Sequence, residues 1–135
     1  MELITVYPRT VNRETILAEK GKCSVRIIYP SHPGQYELIA QNLAEAFITH
    51  AGVNPILLTD EEVMPDRISR MPDDYRSIPL ILLGDINTNR TLVNLYVRYR
   101  CFSDADYPGG DGYELRTVIN PYTRGSNVIV VGGSN

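Results

Sequence analysis

Carboxylate side chains at two places in the sequence are the groups best suited to catalysis. Asp85 directly follows an apolar run, and the second group comprises Asp104, Asp106, Asp111 and Glu114. Hydrolysis of a glycosidic bond needs two carboxyl groups about 5–10 Å apart across a cleft, one acting as the acid and the other as the base or nucleophile. Asp85 with Asp104 or Asp106 therefore gives one hypothesis, a stand-alone hydrolase.

The position of Asp85 also fits a structural role. Asp85, Asn87 and Asn89 precede a segment with helical spacing of apolar residues, and such side chains commonly cap helices by accepting hydrogen bonds from backbone N–H groups. The carboxyl end of a strand is equally where open α/β sheets bind ligands. We predict that the capping role prevails, and we assign no catalytic residue.

Tyrosines supply a second hypothesis, a small carbohydrate-binding module. The chain has 9 Tyr, 2 Phe and no Trp, so tyrosine is its main aromatic residue. Tyr107, Tyr113 and Tyr122 lie in or beside predicted loops, where aromatic rings are able to stack on a sugar. Together with the nearby Asp and Asn side chains they form the candidate oligosaccharide contacts.

The acidic, glycine-rich segment 104–114 resembles a calcium loop only in part. The segment can be aligned so that acidic residues take the first two ligand positions of an EF-hand loop. In that alignment Pro108 takes the position of the third ligand, and Leu115 takes the position of the bidentate glutamate. An EF-hand is therefore excluded, and a low-affinity calcium site of a different kind stays as an alternative. The segment is predicted to be a turn-rich loop in which Asp and Gly supply local hydrogen bonds and positive φ.

No cofactor or metal ion is predicted from the rest of the sequence. The chain has only 2 His and 2 Cys, Cys23 and Cys101, which do not form a C-x-x-C pair. It contains neither a glycine-rich phosphate loop nor a G-x-S-x-G nucleophile motif.

Charge and length favour one ordinary globular domain. The 135 residues fit a single core, so residues 1–135 are predicted to form one domain. The 13 Lys and Arg residues are outnumbered by 16 Asp and Glu, giving a net charge of −3. Because an electropositive surface is what attracts nucleic acids and anionic membranes, neither is a predicted partner. No apolar run reaches the roughly 20 residues that span a bilayer.

The first half of the chain predicts a hairpin followed by a helix. Residues 15–19 and 23–29 read as two strands joined at Lys20-Gly21-Lys22. Ser31 is the predicted N-cap of a helix from Gln35 to Ala51, with Gly52 as its C′ residue. The residues expected to face the sheet are those with helical spacing, namely Leu38, Ile39, Leu43, Ala46 and Phe47.

The second half alternates strands and helices. Residues 55–59 predict a short buried strand before an acidic turn, residues 64–75 a loop with one helical turn, and residues 78–84 a central strand. A second helix ending near residue 102 and two closing strands, 113–119 and 127–131, complete the pattern. The fold class is therefore α/β, with a mixed sheet of five to six strands and two main helices.

The sequence ends where a further helix is expected. The strand 127–131 leads into Gly132-Gly133-Ser134-Asn135, which is typical of a turn that opens a helix. Since an α/β sheet normally carries helices on its faces, a missing helix predicts exposed apolar surface and a chain cut from a longer protein. A neighbouring domain of that protein, or a second copy of this chain, would cover the exposed face.

Three segments resemble a known family. Residues 84–89, Gly-Asp-Ile-Asn-Thr-Asn, are followed by Asp111 to Thr117 and then by Asn127 to Ser134. Their order is similar to that in the small N-terminal domain that precedes the catalytic barrel in α-glucuronidases and β-N-acetylhexosaminidases, and in related bacterial polysaccharide-degrading proteins. The resemblance implies an α/β sandwich without catalytic residues of its own.

The leading hypothesis is therefore a non-catalytic accessory domain of a larger carbohydrate-processing protein. Its predicted partner is the neighbouring catalytic domain, with an oligosaccharide as the ligand of the alternative module. The sequence contains no targeting segment that would fix a compartment.

Overall fold

The computed structural model describes residues 17–19, 22, 23, 25–32, 34–65, 71–97, 113–119, 121, 122 and 126–133. Two short strands open the described part, β1 (Ala18–Glu19) and β2 (Lys22–Cys23), and pair antiparallel. The remaining strands are β3 (Arg26–Tyr29), β4 (Ile56–Thr59), β5 (Leu80–Leu83), β6 (Tyr113–Val118) and β7 (Val128–Gly133). The helices are α1 (Gln35–Ala51), α2 (Asp60–Val63), α3 (Asp73–Arg76) and α4 (Val93–Val97), with a 3-10 helix at Arg90–Leu92.

Strands β3 to β7 form one mixed sheet in the order β4-β3-β5-β7-β6. The first four run parallel, and β6 pairs antiparallel with β7. The predicted α/β class and mixed sheet are thereby confirmed. The closer likeness to the hexosaminidase N-terminal domain stays a prediction.

Two apolar clusters lie on opposite faces of this sheet. On the face that α1 covers, Ile27 of β3 lies opposite Ile81 of β5, which in turn lies opposite Ile129 of β7. On the other face, Ile28, Leu82 and Val130 pack with residues of α2, the 3-10 helix and α4. A sheet covered on both faces accounts for the continuous apolar run of β5, whose four residues are all buried.

The antiparallel pairing predicted on either side of residues 20 and 21, which lie outside the described part, is confirmed, and the second strand of the hairpin was wrong. Ala18 pairs with Cys23, but β2 ends there and β3 belongs to the large sheet. Strand β3 has β4 on one side and β5 on the other. Because both of its edges are occupied, β3 has no edge to offer β1.

Helix α1 has the predicted bounds, and its sheet-facing side agrees with the prediction only in part, since Leu43 and Phe47 pack on the sheet cluster. Gly52 adopts the left-handed conformation, φ 68°, and its N–H donates to the carbonyl of Ile48. The buried residues are Tyr36, Ala40 and Ala44, while Leu38 is 60% exposed and Ile39 is also exposed. The small alanines let the helix approach the sheet closely, which the larger Leu38 and Ile39 would prevent.

Three further local predictions were wrong. Ser31 does not cap α1, whose N-cap is Gly34, because the Ser31 side chain bonds to Asp60 instead. Strand β4 is an edge strand rather than a buried one, since it pairs only with β3 among the described strands. The acidic turn is the helix α2, held by a capping box between Thr59 and Glu62.

The turn predicted at Gly132-Gly133 was wrong, because both glycines belong to β7 and pair with β6. The remaining predictions for the second half of the chain agree with the described elements. Helix α3 is the single helical turn expected between residues 64 and 75, and β5 is central in the sheet. The second predicted helix begins as the 3-10 turn and continues as α4, beyond which residues 98–102 lie outside the described part.

Candidate functional site

The carboxyl edge of the sheet holds the position at which open α/β folds bind ligands. From β3 the chain passes to β4 on one side, and it then crosses back to β5 on the other side. The connections after β3 and β5 therefore lead in opposite directions, which opens a crevice between them in folds of this kind. The candidate residue Asp85 follows β5 at this point.

Gly84 brings the two connections into contact. Its φ is 104°, and an added Cβ would lie 2.6 Å from Thr88 Oγ1 and 2.9 Å from Pro30 Cγ. Both distances are shorter than side chains tolerate, so only glycine fits between the β3 and β5 connections. The two connections therefore pack closely together at Gly84.

Asp85 uses its carboxylate to hold the turn that follows. Its Oδ1 accepts hydrogen bonds from the backbone N–H groups of Asn87, at 2.8 Å, and Thr88, at 3.0 Å, and from the Thr88 hydroxyl at 3.2 Å. The side chain is buried, with the residue 5% exposed. Asp85 therefore has a structural role, as predicted, but it holds the turn at residues 86–88, and the N-cap of the following 3-10 helix is Asn89. Asn87, also predicted as a cap, is exposed.

Tyr36 of α1 fills the space above this turn. Its side chain is buried and hydrogen-bonded to Thr88. Burial raises the pKa of the Tyr36 hydroxyl above its ordinary value, and the nearby negative charge of Asp85 raises it further, while the Thr88 hydrogen bond acts in the opposite direction. Tyr36 therefore keeps its proton to a higher pH than an exposed tyrosine does.

Asn89 ties the central strands to the helix that follows. The side chain is fully buried, and its Nδ2 donates to the carbonyls of Leu83, at 2.8 Å, and Ile28, at 3.2 Å. Its Oδ1 accepts from the N–H of Thr91, at 3.0 Å, which caps the 3-10 helix. All its polar atoms serve the fold, so the structural role predicted for Asn89 is also confirmed.

A second buried carboxylate, Asp60, was not singled out from the sequence. Its Oδ1 accepts from the N–H and the hydroxyl of Ser31, at 3.0 and 3.1 Å, and its Oδ2 accepts from the N–H of Arg90 at 2.9 Å. These bonds join the loop after β3 to the helices on the opposite face. The T-x-x-E spacing of Thr59 and Glu62 was the available signal, because it places Asp60 in the first turn of a helix.

The Arg90 side chain extends the same network outwards. Its guanidinium donates to the carbonyls of Met64, at 3.1 Å, and Pro65, at 2.9 Å, and forms an ion pair of 3.4 Å with Glu61. The carboxyl edge is thus held together by the chain's own polar groups. What this arrangement can do is fix the loops, since both buried carboxylates accept hydrogen bonds from neighbouring N–H groups.

The candidate tyrosines are not brought together. Tyr113 opens β6 on the α1 face and is 77% exposed. Tyr122 follows the other end of β6 and packs, half-buried, against the cluster on the opposite face. These two rings cannot form one flat sugar platform. Candidates Asp104, Asp106, Tyr107 and Asp111 lie outside the described residues.

Two apolar surfaces remain on the α1 face. The first, which we call the α1 groove, is an open cavity of about 260 Å³ lined by Leu43, Ala46, Phe47, His50 and Ala51. The second, which we call the β6 strip, consists of Tyr113, Leu115, Ile119 and Val131, all of them exposed. Leu43 and Phe47 share a cluster with Ile129 of β7, so both surfaces lie on the same side of the sheet.

Within the described part of the chain, no three His, Cys, Asp or Glu side chains are grouped closely enough to bind a metal ion. None of the helices described has both the length and the apolar character needed to cross a membrane. No family model matches the chain, and no curated protein matches it in sequence.

Proposed function

We propose that this chain is a non-catalytic accessory domain of a larger carbohydrate-processing protein and packs against a neighbouring catalytic domain. The observation that carries the proposal is the close packing around Gly84 at the carboxyl edge. Thr88 and Pro30 leave no room for a side chain on Gly84, at the position where open α/β folds bind ligands, and Asp85 is buried with its carboxylate bonded. A carboxylate held in this way is poorly placed to act as an acid or a nucleophile.

The α1 groove is the surface that we assign to the neighbouring domain. Its lining is apolar apart from His50, and it lies on a helix that also exposes Leu38, Ile39 and Ile48. Clustered exposed apolar side chains of this kind mark surfaces that bind other protein. The carbohydrate context rests on the resemblance of residues 84–89, 111–117 and 127–134 to the N-terminal domains of carbohydrate-degrading enzymes.

The first test is the sequence of the gene that encodes this chain. An open reading frame that encodes a catalytic barrel next to these 135 residues is the expected result. A frame that encodes this chain alone would overturn the proposal. The isolated chain should also leave a panel of chromogenic glycosides intact, and turnover that disappears in Asp85→Asn would point to the hydrolase instead.

The α1 groove is tested in the intact protein by a charge placed in it. Ala46→Glu adds a carboxylate to the groove and should loosen domain docking, detected as faster limited proteolysis between the domains. Thr49→Glu places the same charge on an exposed position of α1 outside the groove lining and is the matched control. Equal proteolysis of the two variants would argue against docking at the groove.

A carbohydrate-binding module is the second candidate, favoured by the exposure of Tyr113 beside Leu115 on a strand surface. In that case oligosaccharide titrations should saturate, Tyr113→Ala should abolish binding, and Tyr113→Phe should retain it because the ring still stacks. Flat titrations across a broad glycan panel would remove this candidate.

A further inference from the structure

Residues 89–91 form the triplet Asn-Arg-Thr, which matches the Asn-x-Thr acceptor motif for N-linked glycosylation. An acceptor motif of this kind, with Ser or Thr in third place, occurs once in the 135 residues. The motif normally indicates a surface loop, because the transferase must reach the asparagine side chain. In this fold both ends of the motif are buried, with Asn89 0% and Thr91 1% exposed.

The Asn89 amide nitrogen, the atom that would carry the sugar, uses both of its hydrogen atoms within the fold. Nδ2 donates one to the carbonyl of Leu83 at 2.8 Å and the other to the carbonyl of Ile28 at 3.2 Å. Ile28 belongs to β3 and Leu83 to β5, which are neighbours inside the sheet. A sugar bonded to Nδ2 would replace one of these hydrogen atoms and occupy the space where the strand carbonyl now lies.

The residues that follow hold Asn89 in place. The N–H and the hydroxyl of Thr91 both donate to Asn89 Oδ1. Leu92 and Leu95, which come next, lie in the apolar cluster with Leu82 and Val130. Exposing Asn89 therefore requires these leucines to leave the core, and opening of that extent approaches global unfolding.

We propose that folding and glycosylation at Asn89 exclude each other. Only the unfolded chain is an acceptor, and a glycan on Asn89 prevents folding. In the reaction, Nδ2 forms a bond to C1 of an oligosaccharide, the bond from C1 to the pyrophosphate of a polyprenyl carrier breaks, and one Nδ2 proton is released. The co-reactant is thus a polyprenyl-pyrophosphate oligosaccharide, and in a compartment that contains it and a transferase this modification removes chains from folding.

The proposal concerns the fold of the chain and not its ligand. It holds for an accessory domain, for a carbohydrate-binding module and for a hydrolase alike, so it does not depend on the proposed function.

The first experiment compares two acceptors in one molecule. A tail with the same three residues, Asn-Arg-Thr, is appended after Asn135. The folded chain is then incubated with a polyprenyl-pyrophosphate oligosaccharide and a single-subunit oligosaccharyltransferase that accepts Asn-x-Thr. Mass spectrometry of the proteolytic peptides measures the glycosylation of each site over time.

Asn89 should be glycosylated at least about a hundredfold more slowly than the tail, because only the small open fraction of the chain presents it. A synthetic peptide of residues 84–95, which has no fold to open, should be glycosylated at a rate similar to that of the tail.

The second experiment tests whether a glycan on Asn89 prevents folding. The chain, without the added tail, is synthesised behind a cleavable signal sequence in a translation mixture that contains microsomes. After the membranes are dissolved, trypsin should digest the glycosylated chains, whereas the chains without glycan in the same sample should resist it.

Three results would overturn the proposal. Similar glycosylation rates at Asn89 and at the tail in the folded chain would show that the site opens without unfolding. A peptide that stays unglycosylated would show that the triplet is not an acceptor. Glycosylated chains that resist trypsin as well as the others would show that the fold tolerates the glycan.

Discussion

Asn89 and Asn87 are close in sequence and were candidates of equal standing, yet their surroundings differ completely. Asn89 is fully buried with hydrogen bonds to Ile28, Leu83 and Thr91, whereas Asn87 is exposed. Asn89→Ala leaves buried backbone groups without partners and should lower the free energy of unfolding by about 3 kcal/mol. Asn87→Ala should change it by less than about 0.5 kcal/mol.

Urea unfolding followed by circular dichroism measures both values. Equal small effects would show that the Asn89 hydrogen bonds add little to stability. Loss of carbohydrate binding in a stable Asn89→Ala variant would return this residue to the list of ligand contacts.

Tyr36 predicts how stability depends on alkaline pH. Because burial and then the charge of Asp85 raise its pKa in the folded chain, the unfolded chain loses this proton first. The contribution of Tyr36 is therefore complete below the ordinary tyrosine pKa of 10.0 and is lost as the pH rises through the higher folded pKa.

The measurement is the free energy of unfolding between pH 8 and pH 11.5. The free energy of unfolding of the Tyr36→Phe variant should fall less steeply above pH 10 than that of the unmodified chain. Some decline should remain, because burial raises the pKa of Tyr29 as well, helped by the charges of Glu37 and Glu62. If the free energy of unfolding fell equally steeply with pH in the two proteins, the decline could not be assigned to Tyr36.

At the residue scale, the sequence predicts a local cap and not a distant partner. Asp85 and its turn are contiguous, so the usual behaviour of strand-end aspartates was enough to predict a structural role for it. Asp60 instead bonds to residues 29 and 30 positions away, Ser31 and Arg90. These partners meet only because β3, β4 and β5 end at one edge, and that adjacency belongs to the sheet order.

Helix α1 shows which part of an element its sequence determines. Its spacing and Gly52 predicted the bounds correctly, because both depend on neighbours within the helix. The predicted face was right for Leu43 and Phe47, which pack against the sheet cluster. It was wrong for Leu38 and Ile39, because the closeness of the sheet buries the small Ala40 and Ala44 instead. The spacing of apolar residues along the helix does not indicate how closely the helix packs against the sheet.

The selection of the alanine stripe can be measured. Ala40 is fully buried, so Ala40→Leu should overpack the contact with β3 and lower the free energy of unfolding by about 1–3 kcal/mol. Leu38→Ala, at an exposed position, should change it by no more than about 0.5 kcal/mol. A larger loss of stability in Leu38→Ala than in Ala40→Leu, measured by urea unfolding, would support the face predicted from the sequence.

At the scale of the whole molecule, the sheet depends on the last described strand. Strand β7 lies between β5 and β6 and carries the fully buried Val128 and Val130. A chain that stops after residue 125 loses both and leaves β6 without its partner. It should show no cooperative urea transition, whereas a chain that stops after Gly133 should unfold like the full sequence. A cooperative transition in the shorter chain would show that β3, β4 and β5 suffice.

The fold class followed from the alternation of apolar runs and helical spacing, whereas the strand order did not. The antiparallel placement of β6 at the edge depends on β7 entering the sheet between two earlier strands. Nothing in the sequence of either strand specifies that insertion.

The insertion of β7 has a consequence for synthesis on the ribosome. Translation produces β6 before β7, so β6 emerges while the strand that will hold it is still being made. During that interval an unpaired strand edge and the apolar side chains of β5 stay open to other nascent chains, which favours misassembly. The time the ribosome takes between residues 118 and 133 therefore contributes to how long this edge stays unpaired.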